Sequence, residues 1–101
     1  MVVRLTYFNF TPGKIDELKK FYNEVAVPTL RKQKGNINCI LLEPVNQNDE
    51  YISMTSWESQ EDADAYQSKG VYKQLIDQVR KFFAKEPTLR VYRTEGVMEH
   101  A

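Results

Sequence analysis

The order of the predicted elements in this 101-residue chain indicates an α+β fold of the ferredoxin-like type, β-α-β-β-α-β, with one antiparallel sheet. Two observations predict it. Runs rich in β-branched and aromatic residues are typical of strands, and apolar residues at helical spacing separate the first strand from the second and the third from the fourth. The predicted strands are 2–10, 36–43, 51–57 and 88–94. We expect a single domain over residues 1–101, with a core at 2–94 and a loose tail at 95–101.

The first predicted helix follows the first strand directly. Thr11 is the expected N-cap and Pro12 the first-turn residue, because a proline there loses no helical hydrogen bond. Pro28 should kink or end the regular part of this helix, since it has no amide to donate to the carbonyl of Glu24. Gly35 is the expected terminator.

The second helical region has two pieces. Ser59 and Asp62 have the spacing of a capping box, which predicts a helix over residues 60–67. Residues 68–70 (SKG) interrupt it, and a second amphipathic piece is expected to run until residues 85–87 (KEP).

The composition excludes several classes of function. Apolar residues make up 42% of the chain and charged residues 28%, as in ordinary soluble domains. Lys plus Arg and Asp plus Glu number 14 each, so the clustered positive excess of a nucleic-acid or acidic-membrane binder is missing. No apolar stretch approaches the roughly 20 residues of a membrane span, and the first residues do not resemble a signal peptide. We expect a cytoplasmic protein, with Cys39 as a buried small hydrophobe.

A four-stranded sheet with both helices on one face leaves its other face bare. Several bulky residues of the strands are expected there, and an apolar face of that size predicts a partner. The economical arrangement is a homodimer in which two sheets pack face to face. The residues assigned to this face are Phe8, Phe10, Ile40, Leu42, Ile52, Met54 and Tyr92.

Four short motifs carry a resemblance to a known family. They are 55–59 (TSWES), the acidic helix start through Ala63 and Tyr66, 68–72 (SKGVY), and Phe82-Phe83 before Pro87. The chain resembles, over residues 2–94, the antibiotic biosynthesis monooxygenase domain of the dimeric α+β barrel superfamily. The resemblance implies a homodimer with a cleft in each subunit between helices and sheet. Several relatives oxidise flat aromatic molecules with dioxygen and neither metal nor flavin, and others degrade haem, so family membership does not settle a reaction.

The haem-degrading branch is disfavoured on the residues it uses. Those relatives have an Asn on the first strand, a Trp ending the third and a His ligand on the second helix. The matching positions in this chain are Leu5, Trp57 and Ile76, so only the Trp is present. An aliphatic side chain cannot ligate iron, and the single histidine, His100, is expected to be a solvated tail residue. We therefore expect no metal and no cofactor.

Strand parity predicts a polar, aromatic set on the helix-facing side of the sheet. Asn9 could donate to an oxyanion, Tyr7 could donate or relay a proton, and Trp57 could stack on a flat ligand. These three are the catalytic candidates. The residues expected to bind substrate are Tyr22, Tyr51, Ser53, Thr55, Tyr66 and Tyr72.

Each candidate also has a structural interpretation. A strand tyrosine commonly packs with its hydroxyl at the rim, Asn9 could shape the following turn, and Trp57 could be a core plug. No histidine or close pair of carboxylates offers an obvious general base. The favoured function is a cofactor-independent monooxygenase for a small quinol-like or anthrone-like compound. The alternatives are a non-catalytic binding domain for a small molecule and a structural dimeric domain with a filled cleft.

Overall fold

The computed structural model describes residues 1–95 and contains one four-stranded antiparallel sheet with helices against it, as predicted. The strands lie side by side in the order β2-β3-β1-β4. Their bounds are Val2–Phe8 (β1), Asn36–Leu42 (β2), Tyr51–Trp57 (β3) and Thr88–Arg93 (β4). The third strand has its predicted bounds, and each of the others ends one or two residues earlier than expected.

The first strand ends early because the chain changes partner. From Asn9 onward the backbone pairs with the segment after the last helix: Asn9 O accepts from Ala84 N at 2.7 Å, and Thr11 N donates to Phe82 O at 2.9 Å. Phe10 forms an isolated antiparallel bridge with Phe83. These bonds hold the chain in a turn, and the predicted helix start at Thr11 and Pro12 is therefore wrong.

Helix α1 spans Ile15–Phe21, and Lys14 at its N-cap makes no side-chain capping bond. The chain widens into a π-helical segment at Tyr22–Ala26 and returns to α-helix as α2, Val27–Arg31. The irregularity precedes Pro28, as expected from a residue that has no amide to donate back along the helix. Gly35 follows with φ of +81°, and a Cβ there would overlap the Asp62 side chain.

The second helical region agrees with its sequence signals. Helix α3 spans Gln60–Ser68, and Ser59 Oγ accepts from Asp62 N at 3.1 Å, which confirms the cap. Gly70 has φ of +82° and separates it from α4, Val71–Val79, which a 3-10 turn at Arg80–Phe82 extends. No helix within the described part of the chain is long and apolar enough to cross a membrane.

The faces of β1 are the reverse of those predicted. Its even-numbered residues are buried on the helix-facing side, and its odd-numbered residues, including Leu5 and Tyr7, lie on the open side. The register agrees, because Thr6 lies opposite Ser53 and Arg4 opposite Thr55. Both faces of β1 carry bulky residues, so the sequence shows no contrast in hydrophobicity between them. The alternation of residues along the strand therefore could not indicate which face packs against the helices.

The open face of the sheet is apolar, as predicted, but two of its expected members lie elsewhere. Ile40, Leu42 and Tyr92 are 48%, 37% and 54% exposed. Phe8 is buried and Phe10 packs with it, their ring centroids 5.6 Å apart, and both contact the ring of Phe83. The assignment of Phe8 and Phe10 to the open face is therefore wrong.

Candidate functional site

A cavity of about 40 Å³ lies between the helices and the helix-facing side of the sheet. Apolar side chains from the helices form much of its wall. One water needs roughly 10–15 Å³ of such space, so the cavity has room for a few ordered waters. The polar and aromatic lining residues with hydrogen-bonding groups are Arg4, Thr6, Tyr22, Ser53, Thr55, Tyr66 and Tyr72.

Five of the six predicted substrate-binding residues line this cavity: Tyr22, Ser53, Thr55, Tyr66 and Tyr72. Two features put them there. β3 presents its odd-numbered side chains to the helices, and the helices direct their tyrosines toward the sheet. Sequence reasoning found these residues because aromatic and hydroxyl side chains on a predicted core face are conspicuous.

Tyr22 and Ser53 join the helical wall of the cavity to its sheet wall. The two hydroxyl oxygens are 3.0 Å apart. Burial raises the pKa of Tyr22 to about 12, an effect that the bond to Ser53 partly opposes. Burial also raises the pKa of Tyr66, partly offset by the nearby positive charge of Arg4. Both phenols therefore stay protonated at neutral pH and are hydrogen-bond donors rather than bases.

Trp57 is fully buried, and Tyr66 covers it. The two rings stack with centroids 4.8 Å apart and an interplanar angle of 27°. The indole Nε1 donates to Thr55 Oγ1 at 2.9 Å, so the polar atom of the indole is satisfied inside the protein. Of the stacked pair, Tyr66 lines the cavity and Trp57 does not. The core-plug interpretation describes the position of Trp57.

The other candidates lie outside the cavity. Tyr7 is on the open face, opposite Ile52, so its predicted place on the helix-facing side is wrong. Asn9 Nδ2 donates to Glu50 Oε2 at 3.2 Å, and Asn9 O is held by the chain after the last helix. Its position fits the turn-shaping interpretation.

Tyr51 faces the helices but lies beyond the end of the cavity. Its hydroxyl donates to Glu43 Oε1 at 3.0 Å, and Lys19 Nζ bonds the same oxygen at 2.8 Å. Hydrogen bonds from Lys19 and Tyr51 lower the pKa of Glu43. This surface cluster is exposed and does not reach the residues that line the cavity.

Sequence reasoning missed Arg4, a charged residue at the cavity. Its side chain is 5% exposed, and its guanidinium carbon lies 5.2 Å from the ring centroid of Tyr66 and 4.9 Å from that of Tyr72. One guanidinium nitrogen, Nη2, donates to Gln67 Oε1. The signal was the alternative parity of β1, which places Arg4 and Thr6 on the helix-facing side.

Among the residues that the structure describes, neither a carboxylate nor an imidazole lines the cavity. Within residues 1–95, no three His, Cys, Asp or Glu side chains are grouped closely enough to hold a metal ion. Ile76, the position of the expected haem ligand in the haem-degrading branch, lines the cavity with an aliphatic side chain. His100 lies outside the described residues.

Solved structures with the same fold were found at low sequence identity. A protein of Deinococcus radiodurans, proposed to be an antibiotic biosynthesis monooxygenase, superposes with a TM-score of 0.83 at 12% identity, covering 100% of this chain and 99% of its own. A similarly described protein of Nitrosomonas europaea superposes with a TM-score of 0.77 at 18% identity, covering 93% of this chain and 98% of its own. The haem-degrading MhuD of Mycobacterium tuberculosis, with two haems in its active site, gives 0.75 at 24%, and both chains are covered completely.

These likenesses establish the fold and leave the reaction open. No curated protein matches the sequence. The family model of antibiotic biosynthesis monooxygenase matches residues 1–78, about three quarters of the chain, from the first strand through most of the last helix. The chain therefore belongs to the antibiotic biosynthesis monooxygenase family.

Proposed function

We propose that this protein is a cofactor-independent monooxygenase that oxidises a small aromatic compound of the quinol or anthrone type. The observation that carries the proposal is the cavity between helices and sheet, where tyrosine rings meet the hydroxyls of two strands. Such a site offers flat surfaces for an aromatic ring and donors for its oxygen. A cytoplasmic homodimer, with the open faces of two sheets packed together, is part of the same proposal.

The chemistry requires no group beyond substrate and dioxygen. An anthrone-type carbon loses a proton, and the resulting enolate passes an electron to dioxygen. Recombination forms a carbon–peroxide bond, and loss of water leaves a carbonyl: R₂CH₂ + O₂ gives R₂C=O + H₂O. The protein contributes by orienting the ring, excluding bulk water and donating hydrogen bonds to the developing oxyanion.

The cavity must enlarge to accept a ring. A cavity of about 150 Å³ is known to hold benzene, several times the 40 Å³ found here. Three lining residues keep part of their surface exposed, namely Phe21, Ser53 and Tyr72. Tyr72 follows Gly70 by two residues at the start of α4, and rotation of its side chain is the simplest way to open the space.

Haem degradation is not part of this proposal. MhuD has two haems bound in its active site. In this chain, Ile76 occupies the cavity wall where the resemblance places the iron ligand. The substrate proposed here is therefore a smaller aromatic without a metal.

A second candidate is a non-catalytic domain, either a binder of small molecules or a structural dimer. The small size of the cavity and the complete burial of Trp57 favour it. This candidate uses the same fold and the same open face. It differs from the oxygenase in predicting no consumption of oxygen.

Oxygen uptake with a panel of quinols and anthrones tests the proposal. Tyr22→Phe removes a hydroxyl from the cavity, and Tyr51→Phe removes one outside it as a matched control. We expect turnover of at least one compound, a rate reduced roughly tenfold or more by Tyr22→Phe, and no change with Tyr51→Phe. Binding without uptake for every compound would support the binding domain, and neither binding nor uptake would support the structural one.

A further inference from the structure

Among residues 1–95, one charged side chain lines the cavity, that of Arg4, and no carboxylate of these residues forms an ion pair with it. Arg4 is 5% exposed, and none of the ion pairs formed among residues 1–95 involves it. The carboxylate that contributes most to its electrostatic environment is Asp64, on the exposed side of α3. An arginine keeps its proton at physiological pH, so the cavity wall carries a positive charge.

The groups around Arg4 offset only part of the cost of burying its charge. Tyr66 on α3 and Tyr72 on α4 present their rings to the guanidinium, a cation–π arrangement that favours the charged form. Burial acts in the other direction and is the largest influence, so the pKa of Arg4 is lowered. A buried cation that lacks a counter-ion is unfavourable for folding alone. Ionisable groups perturbed in this way cluster at functional sites, where a ligand can supply the missing charge.

Hydrogen-bonding capacity at Arg4 is also left over. A guanidinium has five N–H donors in a planar fork. Within the described part of the chain, the Arg4 side chain makes one hydrogen bond, from Nη2 to Gln67 Oε1. The remaining donors belong to a side chain that lines the cavity beside Thr55, its register partner on β3, and Thr6, two residues along β1.

We propose that the cavity binds its aromatic ligand as an oxyanion, a phenolate or enolate, with the charged oxygen against the guanidinium of Arg4 and the ring beside Tyr66 and Tyr72. The substrate class rests on the proposed function, but the charge of the ligand rests on Arg4 itself. Arginine is suited to this task because its planar donors match an oxygen anion and its plane stacks on aromatic rings.

This placement answers the lack of a general base. A cation beside the oxygen stabilises the ionised ligand more than the neutral one, so the pKa of the bound phenol falls. The proton then passes to water, ArOH + H₂O giving ArO⁻ + H₃O⁺, and no carboxylate or imidazole is required. The electron-rich oxyanion is the form that donates an electron to dioxygen. Arg4 is thus a catalytic residue that acts by electrostatic stabilisation.

The test uses 4-nitrophenol, whose phenolate is yellow, and its methyl ether 4-nitroanisole, which cannot ionise. Each is titrated into the wild-type protein across a pH series, and the absorbance of the phenolate gives the pKa of the bound probe. We expect a fall of about one unit from the free value, equivalent to roughly tenfold tighter binding of phenolate than of phenol. The ether should bind with an affinity independent of pH.

Three variants assign the effect to Arg4. Arg4→Gln should abolish the pKa shift of the probe, while Arg4→Lys should keep part of it because the charge remains. Arg93→Gln removes an exposed charge from the neighbouring strand β4 and should leave the shift unchanged. Thermal melting of each variant checks its folding, and if Arg4→Gln does not fold, the wild-type comparison of phenolate with ether decides.

Equal affinity for phenolate and ether, failure of both to bind, or an unchanged shift in Arg4→Gln would overturn the inference. Its failure is separable from that of the proposed function. Phenolate preference without oxygen uptake would keep the anion site and reject the monooxygenase. Uptake without phenolate preference would keep the monooxygenase and reject the role of Arg4.

Discussion

The two faces of the sheet are made by the same four strands, yet they place polarity in opposite ways. On the helix-facing side, Arg4, Thr6 and Thr55 are polar and buried. On the open side, Ile40 and Tyr92 are apolar and about half exposed. Core positions normally favour apolar side chains and surface positions polar ones. This difference is the one that the proposals require: polar groups for a ligand on the first face, and apolar surface for a partner chain on the second.

Among the substitutions that distinguish the two faces, Trp57→Ala on the helix-facing side should have the largest effect on stability. Removing a fully buried indole that stacks on Tyr66 leaves a large cavity, so the free energy of unfolding should fall by about 3–5 kcal/mol. Urea denaturation measures it. Val45→Ala, at a fully exposed position in the β2–β3 loop, is the control and should change it by less than about 0.5 kcal/mol. A small loss from Trp57→Ala would contradict the core-plug position.

On the open face, Ile40→Glu should disrupt the proposed dimer contact. Ile40, Met54 and Leu5 lie in register across three strands, so a charge at this position would be desolvated in a face-to-face dimer. We expect the dimer dissociation constant to rise about 100-fold or more, followed by sedimentation velocity over a concentration series. Val45→Glu adds the same charge on a loop and should leave the dimer intact. A monomeric wild-type protein would refute the dimer outright.

Alkaline pH should lower the free energy of unfolding through Tyr22, on the helix-facing side of the sheet. Burial raises the folded-state pKa of Tyr22 to about 12 from an ordinary value of 10. The unfolded chain therefore loses this proton first, and the stability linked to it is complete below pH 10 and lost as the pH rises toward 12. The expected loss is on the order of 2 kcal/mol, and Tyr22→Phe should show a shallower decline. Parallel curves for wild type and variant would contradict the assignment.

The smallest expected effect compares two tyrosine hydroxyls. Tyr22→Phe breaks the bond to Ser53 inside the cavity wall and should cost about 1 kcal/mol at neutral pH. Tyr51→Phe breaks an exposed bond to Glu43 and should cost less than about 0.5 kcal/mol. Chemical denaturation of both variants measures the difference. Equal values would mean that burial of the first pair contributes little.

The fold was more predictable than the site, for reasons visible in particular residues. Strand 51–57 was found with its bounds because polar turn residues precede it and a capped helix follows. The start of the first helix was missed because long-range backbone bonds from Thr11 override its local preference for an N-cap. Such bonds depend on a segment about 70 residues away, which local patterns do not reveal.

In the site, too, the residues marked by local patterns could be predicted, and the one whose position depends on strand pairing could not. Tyr22, Tyr66 and Tyr72 could be found because aromatic residues on a helix's apolar side have few alternatives to the core. Arg4 could not, since a charged residue on a strand is by default assigned to solvent. Only the pairing of β1 with β3 decides which way it points. The residue that gives the cavity its charge is therefore the one that hydrophobic patterning places least well.

The π-helical turn at Tyr22–Ala26 explains how one helical wall can serve the whole length of the cavity. Four residues at a strict spacing of four line it: Leu18, Tyr22, Ala26 and Leu30. In a regular α-helix that spacing drifts by about 40° per step, so the last member would be rotated by about 120° from the first. A wider turn offsets part of this drift and keeps the four side chains in one row. The π-helical turn thus restores the alignment of side chains that a regular helix would lose. Deleting a single residue within it would rotate the side chains of α2 by about 100° about the helix axis and remove Leu30 from the wall.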